Sequence, residues 1–342
     1  MTLLITGACG YIGSHTAMAF LQNTDHKIVI VDSLVTGFKE NYKLLRHLFE
    51  ERVVFEEMDF QTCEDVFSNY KIDCVVHFAA SLTVEESVKD PLKYYINNTG
   101  GTAMLIGLCV KYGVKNFIFS STAAVYGNPQ NVPVTEEEPL LPINPYGNSK
   151  KMIEEILRDS QKAYGLNYIA LRYFNVAGAY SGNNYEDIAL GQRSENATHL
   201  IKVACECAVG KRESMSIFGD NYPTKDGTCI RDYIHVDDLA NAHISAFNML
   251  QDNKGINTAY NVGYNSGFSV KEVVECVRRV SGVNFKVLLA PPRAGDPAIL
   301  IANNAKLKAT GWEPKHASLE EIAMGAYLWE KYLLVHNADI NI

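Results

Sequence analysis

The first half of the chain alternates between short apolar runs and longer mixed segments. Six almost continuously apolar runs have the pattern of buried parallel strands: Leu3–Ile5, Lys27–Val31, Val53–Glu56, Cys74–Phe78, Asn116–Ser120 and Asn167–Leu171. The segments between them predict helices over Tyr11–Gln22, Pro91–Tyr112 and Tyr146–Tyr164. This alternation predicts an α/β fold with a doubly wound parallel Rossmann sheet.

The pattern becomes looser after about Phe174, where polar loops rich in Gly and Asn separate shorter elements. It predicts a helix near Thr198–Val209, a strand near Ser214–Phe218, a strand over Tyr233–Val236 and a helix over Asp237–Leu250. Two later helices begin with predicted capping boxes, Ser269 with Glu272 and Ser318 with Glu321. We therefore predict a Rossmann domain over residues 1–175 and a smaller α/β substrate domain over residues 176–342, with some late segments returning to the first sheet.

Three glycines follow the first strand at a spacing of three: Gly7, Gly10 and Gly13. A glycine turn that leads into a helix lets the backbone approach a pyrophosphate and aims free amides at it. Asp32 ends the second apolar run, nineteen residues after Gly13. A carboxylate at that place binds the adenosine ribose and repels a 2′-phosphate, so the pattern predicts NAD rather than NADP.

Tyr146 and Lys150 begin a predicted helix, and their spacing of four places both side chains on one helix face. A free phenol has a pKa of about 10, which a neighbouring ammonium lowers. The pair is thus suited to take a proton from a sugar hydroxyl while hydride leaves the same carbon. The strand that ends in Ser120-Ser121-Thr122 brings a hydroxyl to the same place.

Composition narrows the classes of partner. The net charge of −8 argues against nucleic acid or an anionic membrane as the main partner. No apolar run reaches the roughly 18 residues of a membrane span. Eight cysteines occur without CxxC pairs, and nine histidines show no ligand spacing. We therefore expect reduced thiols, a cytoplasmic location and no metal.

Several further motifs occur in a consistent order, nearly from end to end: HFAASLTVEESV, KYYINNTGGT, NFIFSSTAAVYG, NPYGNSK, LRYFNVAGA, GTCIRDYIHVDDLA and APPRAGDP. They resemble the UDP-hexose 4-epimerase family of extended short-chain dehydrogenase/reductases. The resemblance implies inversion of C4 of UDP-glucose and UDP-galactose through a 4-keto intermediate with bound NAD. It implies that Tyr146 is the base and acid, that Lys150 tunes it, and that Thr122 assists by a hydrogen bond.

The resemblance also implies two sets of contacts. The cofactor set is Gly7, Gly10, Tyr11, Ile12, Gly13, Asp32, Ser33, Leu34, Thr36, Gly37, Asp59, Phe60, Phe78, Ala79, Ala80, Asn97, Ser120, Tyr146, Lys150 and Phe174. The set for the UDP-sugar substrate is Thr122, Asn175, His199, Leu200, Ser216, Ile217, Phe218, Arg231, Arg293, Asp296 and Leu300.

The family also implies a homodimer, in which helices near Gly100–Tyr112 and Lys150–Tyr164 pair across a two-fold axis. Each of these helices carries apolar residues that would suit such an interface. They are Leu105, Leu108 and Cys109 on the first helix and Ile153, Ile156 and Leu157 on the second. The same residues equally suit the core of a single subunit.

Some positions depart from patterns in the family. Ala123 and Ala124 occupy the place of an acidic pair in related dehydratases, and alanine cannot exchange a proton, which argues against dehydration. Leu82 stands where some epimerases carry lysine, and His199 where others carry asparagine. Leu300, or Ile299 with a slip of one residue, matches a tyrosine that closes the pocket to N-acetylated sugars.

Several alternatives to the epimerisation of UDP-glucose and UDP-galactose are left open. Because leucine is smaller than tyrosine, one alternative is a UDP-N-acetylglucosamine 4-epimerase or a bifunctional enzyme. A sugar-nucleotide reductase with net redox chemistry would need free NAD(H). A catalytically silent NAD-binding regulator would bind a UDP-sugar without turnover.

Overall fold

The computed structural model describes residues 1–180, 182, 190–194, 197–293 and 296–336. Its strands are β1 Thr2–Thr6, β2 Lys27–Asp32, β3 Val53–Glu57, β4 Cys74–His77, β5 Asn116–Thr122, β6 Asn167–Tyr173, β7 Asn175–Ala177, β8 Ser214–Phe218, β9 Ile230–Arg231, β10 Tyr233–His235, β11 Thr258–Val262, β12 Phe268–Ser269, β13 Lys286–Ala290 and β14 Ile299–Leu300. Its helices are α1 Tyr11–Asn23, α2 Lys39–Phe49, α3 Glu64–Asn69, α4 Val84–Lys89, α5 Pro91–Tyr94, α6 Gly101–Lys111, α7 Pro145–Tyr164, α8 Leu200–Ala208, α9 Val236–Asp252, α10 Val270–Ser281, α11 Ala305–Lys308 and α12 Leu319–Val335.

The centre of the molecule is a seven-stranded parallel sheet in the order β11-β6-β5-β4-β1-β2-β3. Apolar clusters cover both faces, so that Leu3 and Ile5 pack on one side and Leu4 on the other. Burial on both faces explains why the strands are nearly continuous apolar runs. The predicted doubly wound sheet is confirmed. Its strand order reverses between β1 and β4, where such sheets bind ligands at their carboxyl ends.

The second half of the chain contributes one strand to this sheet, because β11 pairs with β6. Its other strands form three small sheets: β10-β7, β12-β9-β14 and β13-β8. Residues before Phe174 therefore share one long sheet with residues 258–262, and β7 of the small sheet β10-β7 begins directly after β6.

The helix predicted over Pro91–Tyr112 consists of three parts. A π-helical segment, Tyr95–Gly100, separates α5 from α6. A π turn inserts an extra residue into a helix and occurs often at functional sites. This segment contains Asn97 and Asn98.

One of the two predicted capping boxes is complete. Ser269 and Glu272 make both reciprocal bonds at the start of α10. At α12, the Ser318 hydroxyl accepts from the Glu321 amide, but the Glu321 carboxylate lies 2.5 Å from Nδ1 of His316. The His316 ring thus takes the carboxylate that the pattern assigned to the cap.

The apolar residues considered for a dimer interface lie mainly in the core. Leu105, Cys109, Ile153 and Leu157 are all 0 % exposed. The alternative of an ordinary core face is therefore correct for these four. Within the described part of the chain, no helix has the length and apolar character required to cross a membrane.

Candidate active site

The glycine turn lies between β1 and α1, at the carboxyl edge of the sheet. Gly7 has a φ of +75°, and a Cβ there would lie 2.7 Å from the Ala79 amide nitrogen. A Cβ at Gly13 would lie 2.3 Å from the Gly7 carbonyl oxygen. The turn therefore requires glycine at both places. The N-cap of α1 is Gly10, which has no side chain to cover the first amides, so the helix end suits a phosphate.

Asp32 ends β2 beside this turn and is 8 % exposed. Its Oδ2 accepts from the Cys9 amide at 2.9 Å, and its Oδ1 accepts from the Leu34 amide at 2.9 Å. Burial raises the pKa of Asp32, while these two amides lower it. The carboxylate thus fixes the two loops that would hold an adenosine ribose, and each oxygen keeps further acceptor capacity.

Tyr146 and Lys150 lie on α7 beside the end of β5. Interaction with the Thr122 hydroxyl lowers the pKa of Tyr146, whereas burial raises it more strongly. The Lys150 Nζ donates to the Ser120 carbonyl oxygen at 2.8 Å. Burial lowers the pKa of Lys150 to about 7. The structure therefore brings the three predicted catalytic residues to one strand end.

The π-helical segment directs two consecutive asparagines toward the loop after β4. Asn97 accepts from Nε2 of Gln61 at 3.0 Å and donates to the Ser81 hydroxyl at 3.2 Å. Asn98 is 0 % exposed. Its amide group donates to the Ser81 carbonyl (2.9 Å) and the Ser149 hydroxyl (3.2 Å), and its oxygen accepts from the Ser81 amide (2.8 Å). Asn98, which the sequence analysis missed, thus ties the cofactor loop to the helix of Lys150.

His77 is a second residue that sequence reasoning missed. Its Nδ1 lies 2.6 Å from the Thr6 hydroxyl, and its Nε2 lies 2.8 Å from the Thr102 hydroxyl. The His77 ring stacks on the Phe119 ring, and the Lys150 Nζ lies 4.9 Å from the centroid of the Phe119 ring. Burial and the charge of Lys150 hold the pKa of His77 well below its usual value. In the sequence, His77 is a single polar residue at the end of an apolar strand, which does not by itself indicate a functional residue.

The predicted residues for the diphosphate and uridine converge from separate parts of the second half. The Arg231 Nη2 lies 3.4 Å from Oδ1 of Asp296. The Asp296 amide donates to the Arg293 carbonyl at 3.4 Å. The Arg293 guanidinium lies 4.0 Å from the centroid of the Phe218 ring. Four residues that are far apart in the sequence thus form one continuous group with two cations.

Leu300 lies between this group and the end of β6. It pairs in register with Arg231 through β14 and β9. Its side chain packs against the apolar cluster that contains Phe174 and Tyr126. Adjacent strand residues point to opposite faces, so Leu300 rather than Ile299 faces this cluster. Asn175 lies nearby on β7.

His199 precedes α8, and its Nδ1 lies 3.0 Å from the Gln192 amide group. A buried ion group supports this end of the chain. The Lys202 Nζ donates to the Gln192 carbonyl (2.9 Å) and to Glu330, and it lies 3.4 Å from Glu206. Helix α12, which carries Glu330, therefore holds the loop that contacts His199.

Some predicted residues direct their side chains away from the site. The Phe60 ring packs beside His77, Ile217 is 5 % exposed in the core, and the Leu200 side chain packs against the main core. Tyr11 and Ile12 form the first turn of α1. The remaining predicted cofactor residues lie directly after their strands: Ser33, Thr36 and Gly37 after β2, Asp59 after β3, and Phe78 and Ala80 after β4.

The profile of the NAD dependent epimerase/dehydratase family matches residues 3–263. The chain belongs to this family. It is 43 % identical to the UDP-glucose 4-epimerase of Halalkalibacterium halodurans over 97 % of this chain and 96 % of the relative.

Two solved structures extend the comparison. The UDP-Glc/GlcNAc 4-epimerase from Campylobacter jejuni is 51 % identical, with a TM-score of 0.83 over 97 % of this chain and 99 % of that one. The UDP-glucose 4-epimerase from Bifidobacterium longum, solved in complex with NAD+ and UDP, is 34 % identical, with a TM-score of 0.90 over 97 % of this chain and 98 % of that one. The glycine turn, the open end of α1 and Asp32 fit the cofactor named for this family.

Proposed function

We propose that the protein is an NAD-dependent UDP-hexose 4-epimerase that interconverts UDP-glucose and UDP-galactose. The observation that carries the proposal is the meeting of Thr122, Tyr146 and Lys150 at one strand end, next to a turn that fits a dinucleotide. Full-length similarity to UDP-glucose 4-epimerases supports the substrate class.

The glycine turn and the start of α1 would hold the pyrophosphate of NAD, and Asp32 would hold the adenosine ribose. Lys150 and Asn97 would contact the remaining part of the cofactor. NAD held by these residues would supply a reversible hydride acceptor for C4 of the hexose, so the reaction would involve no net oxidation. Tyr146 takes the proton of the C4 hydroxyl and later gives it back to the 4-keto intermediate. The ammonium of Lys150 and the Thr122 hydroxyl stabilise the phenolate. C4 would be inverted if the 4-keto intermediate turns within the site, so that it is reduced on the face opposite to the one that was oxidised.

The chain offers no proton-transfer group where elimination of water would need one, because Ala123 and Ala124 follow Thr122. This supports epimerisation over dehydration. The two cations Arg231 and Arg293 lie in an otherwise acidic protein and suit a diphosphate. The alternatives to an epimerase are a reductase and a silent NAD-binding regulator, and an assay without added cofactor distinguishes all three.

A second substrate class is favoured by Leu300. Its side chain leaves more room beside Phe174 than a tyrosine would, and the similar Campylobacter jejuni enzyme is a UDP-Glc/GlcNAc 4-epimerase. We propose that UDP-N-acetylglucosamine is also epimerised at this site.

The deciding experiment uses purified protein with each UDP-hexose in turn and no added cofactor. Proton NMR of the anomeric and H4 signals should show interconversion of the C4 epimers. Turnover that requires equimolar NAD(H) would indicate a reductase instead. Binding of a UDP-sugar without any turnover would indicate a regulator.

We also propose a homodimer. The outer surfaces of α5, the Tyr95–Gly100 segment, α6 and α7 expose Leu92 (67 %), Ile96 (66 %), Met104 (55 %) and Met152 (38 %). Exposed apolar residues on adjacent helices suit a second copy of the same surface. Light scattering should give twice the 38.0 kDa mass of the chain, and a monomer would contradict the proposal.

A cytoplasmic location completes the proposal. All eight cysteines are free and buried, as is usual for proteins of a reducing compartment. Fractionation of the source cells, with the protein detected in the soluble cytoplasmic fraction, tests this directly.

A further inference from the structure

Asp232 is a buried charge that the proposed mechanism does not use. It follows Arg231 at the end of β9 and is 0 % exposed. Its Oδ1 accepts from the Tyr264 amide at 2.8 Å, and its Oδ2 accepts from the amides of Asn265 (3.0 Å) and Ala302 (3.1 Å). A single carboxylate thus collects several backbone donors from distant parts of the chain.

These donors lie on both sides of β9. Tyr264 and Asn265 belong to the connection from β11 to β12, and Ala302 follows β14. The sheet β12-β9-β14 has only two residues in each strand. Strands this short form few ladder hydrogen bonds, so other contacts must fix their relative positions. The Asp232 carboxylate supplies such contacts on both edges of the central strand.

The backbone that Asp232 fixes carries three proposed substrate residues. Arg231 is directly adjacent to it, and Leu300 is the register partner of Arg231. The Asp232 amide donates to the Leu300 carbonyl at 3.2 Å, and the Asp232 carbonyl accepts from the Asn175 amide at 2.9 Å. Asp232 is therefore bonded to the backbone of residues at both the diphosphate end and the sugar end of the proposed site.

We infer that Asp232 is a positioning residue that fixes the spacing between Arg231 and Leu300 and thereby sets the affinity for the UDP-sugar without touching it. This inference deepens the proposed function and rests on it for the identity of the ligand. The carboxylate form matters because a side chain that accepts at both oxygens satisfies donors on both edges. An asparagine would direct its NH2 group at one set of amides and leave those amides without an acceptor.

Asp238 provides a matched control. It is also 0 % exposed, and its carboxylate accepts from the amides of Lys315 (2.9 Å) and His316 (2.8 Å). It therefore holds a loop through backbone donors, as Asp232 does, but that loop does not carry Arg231 or Leu300. Asp232→Asn and Asp238→Asn each replace a buried carboxylate with an amide of similar shape, and Asp238 differs in also accepting from the Tyr264 hydroxyl at 2.6 Å.

The test compares KM, kcat and NAD content of the two variants with those of the wild type. We expect Asp232→Asn to raise KM for UDP-glucose at least tenfold, with kcat within about threefold and NAD content unchanged. Asp238→Asn should leave KM within twofold. A merely structural role would lower the active fraction, which reduces apparent kcat but does not change KM. Equal KM values for Asp232→Asn and wild type, or equal increases in both variants, would overturn the inference.

Calorimetric titration with UDP separates this inference from the proposed function. A tenfold weaker UDP affinity in Asp232→Asn supports the positioning role, whether or not the wild type epimerises any UDP-hexose. An unchanged UDP affinity overturns it. If Asp232→Asn does not fold, Asp232→Ser takes its place, because the single oxygen of the smaller serine side chain cannot accept from amides on both edges. Failure of both variants to yield NAD-containing protein would show that Asp232 holds the whole chain, which also overturns the inference.

Discussion

The two sides of the candidate site are built in different ways. The cofactor side lies on strands of four to seven residues that pair within one seven-stranded sheet. The substrate side lies largely on small sheets, and β9 and β14 have two residues each. Repeated ladder bonds fix the first side. Single buried polar groups, such as Asp232 and Lys202, fix the second side.

This difference has a consequence for substitutions. A ladder spreads the cost of one lost bond over many neighbours, whereas a buried charge that loses its partner leaves an unsatisfied group at one place. Changes to the buried polar groups of the substrate side should therefore alter substrate binding while NAD stays bound. Changes at the strand end shared by both sides should affect the chemistry itself.

The largest expected effect is at that shared strand end. Tyr146→Phe removes the group that transfers the proton and keeps the ring, so kcat should fall about 10³-fold, within the usual range for a lost acid–base group. NAD content and Tm should stay unchanged. Turnover is measured by NMR with UDP-galactose.

Tyr164→Phe is the matched control, because Tyr164 lies on the same helix and is 60 % exposed. It should have wild-type kcat. A Tyr146→Phe enzyme with near-normal kcat would remove Tyr146 from its proposed role.

The next effect concerns the pH dependence of the base. Burial raises the pKa of Tyr146, and the ammonium of Lys150 acts in the opposite direction when it is protonated. Lys150→Met removes that charge, so the phenol should ionise only at higher pH. We expect kcat at neutral pH to fall about 10²-fold, with the rising limb of the pH profile displaced to higher pH. A lower kcat with an unshifted limb would mean that Lys150 only helps to bind NAD.

The elements of the cofactor side could be predicted from the sequence because they follow local patterns, and its candidate residues lie at the ends of those elements. Gly7, Gly13 and Asp32 follow apolar strands directly, and Tyr146 and Lys150 are neighbours on one helix face. The meeting of Phe218, Arg231, Arg293 and Asp296 depended on the resemblance to a family, since their positions follow no local period.

Other residues of the site gave no such signal. Asp232, Asn98 and His77 look like ordinary polar positions in the sequence. Their importance comes from partners far along the chain, as in the bond between Asp232 and the Ala302 amide, 70 residues away. The π-helical segment was missed because one extra residue in a helix does not interrupt its apolar pattern.

A smaller effect should appear at the sugar end of the substrate side. Leu300→Tyr fills the space beside Phe174, so it should lower turnover of UDP-N-acetylglucosamine relative to UDP-glucose about tenfold, as a steric change of 1–2 kcal/mol would. The control is Ile299→Tyr, which points to the opposite face of β14 and should keep the ratio within twofold. The ratio of kcat/KM values for the two sugars measures the effect. A wild type that epimerises UDP-glucose but not UDP-N-acetylglucosamine would contradict the second substrate class.

The smallest expected effect tests whether the substrate side can be loosened alone. Glu330 is 2 % exposed and pairs with Lys202, which holds the Gln192 loop near His199. Glu330→Gln keeps the shape and removes the charge, while Lys202 retains Glu206 at 3.4 Å. We expect a loss of about 1–2 kcal/mol in the free energy of unfolding, typical of a weakened buried charged hydrogen bond.

The same variant should raise KM for UDP-glucose by a factor of about two to three and leave NAD content unchanged, because the Asp32 carboxylate is held by the amides of Cys9 and Leu34 rather than by α12. Glu320→Gln provides the control on the same helix, since the Glu320 side chain is 59 % exposed and its ion pair with Arg279 lies in solvent. Denaturant unfolding and NAD absorbance of the purified variants measure both effects. Loss of NAD in Glu330→Gln together with the rise in KM would show that the two sides are mechanically coupled, and the contrast between them would then fail.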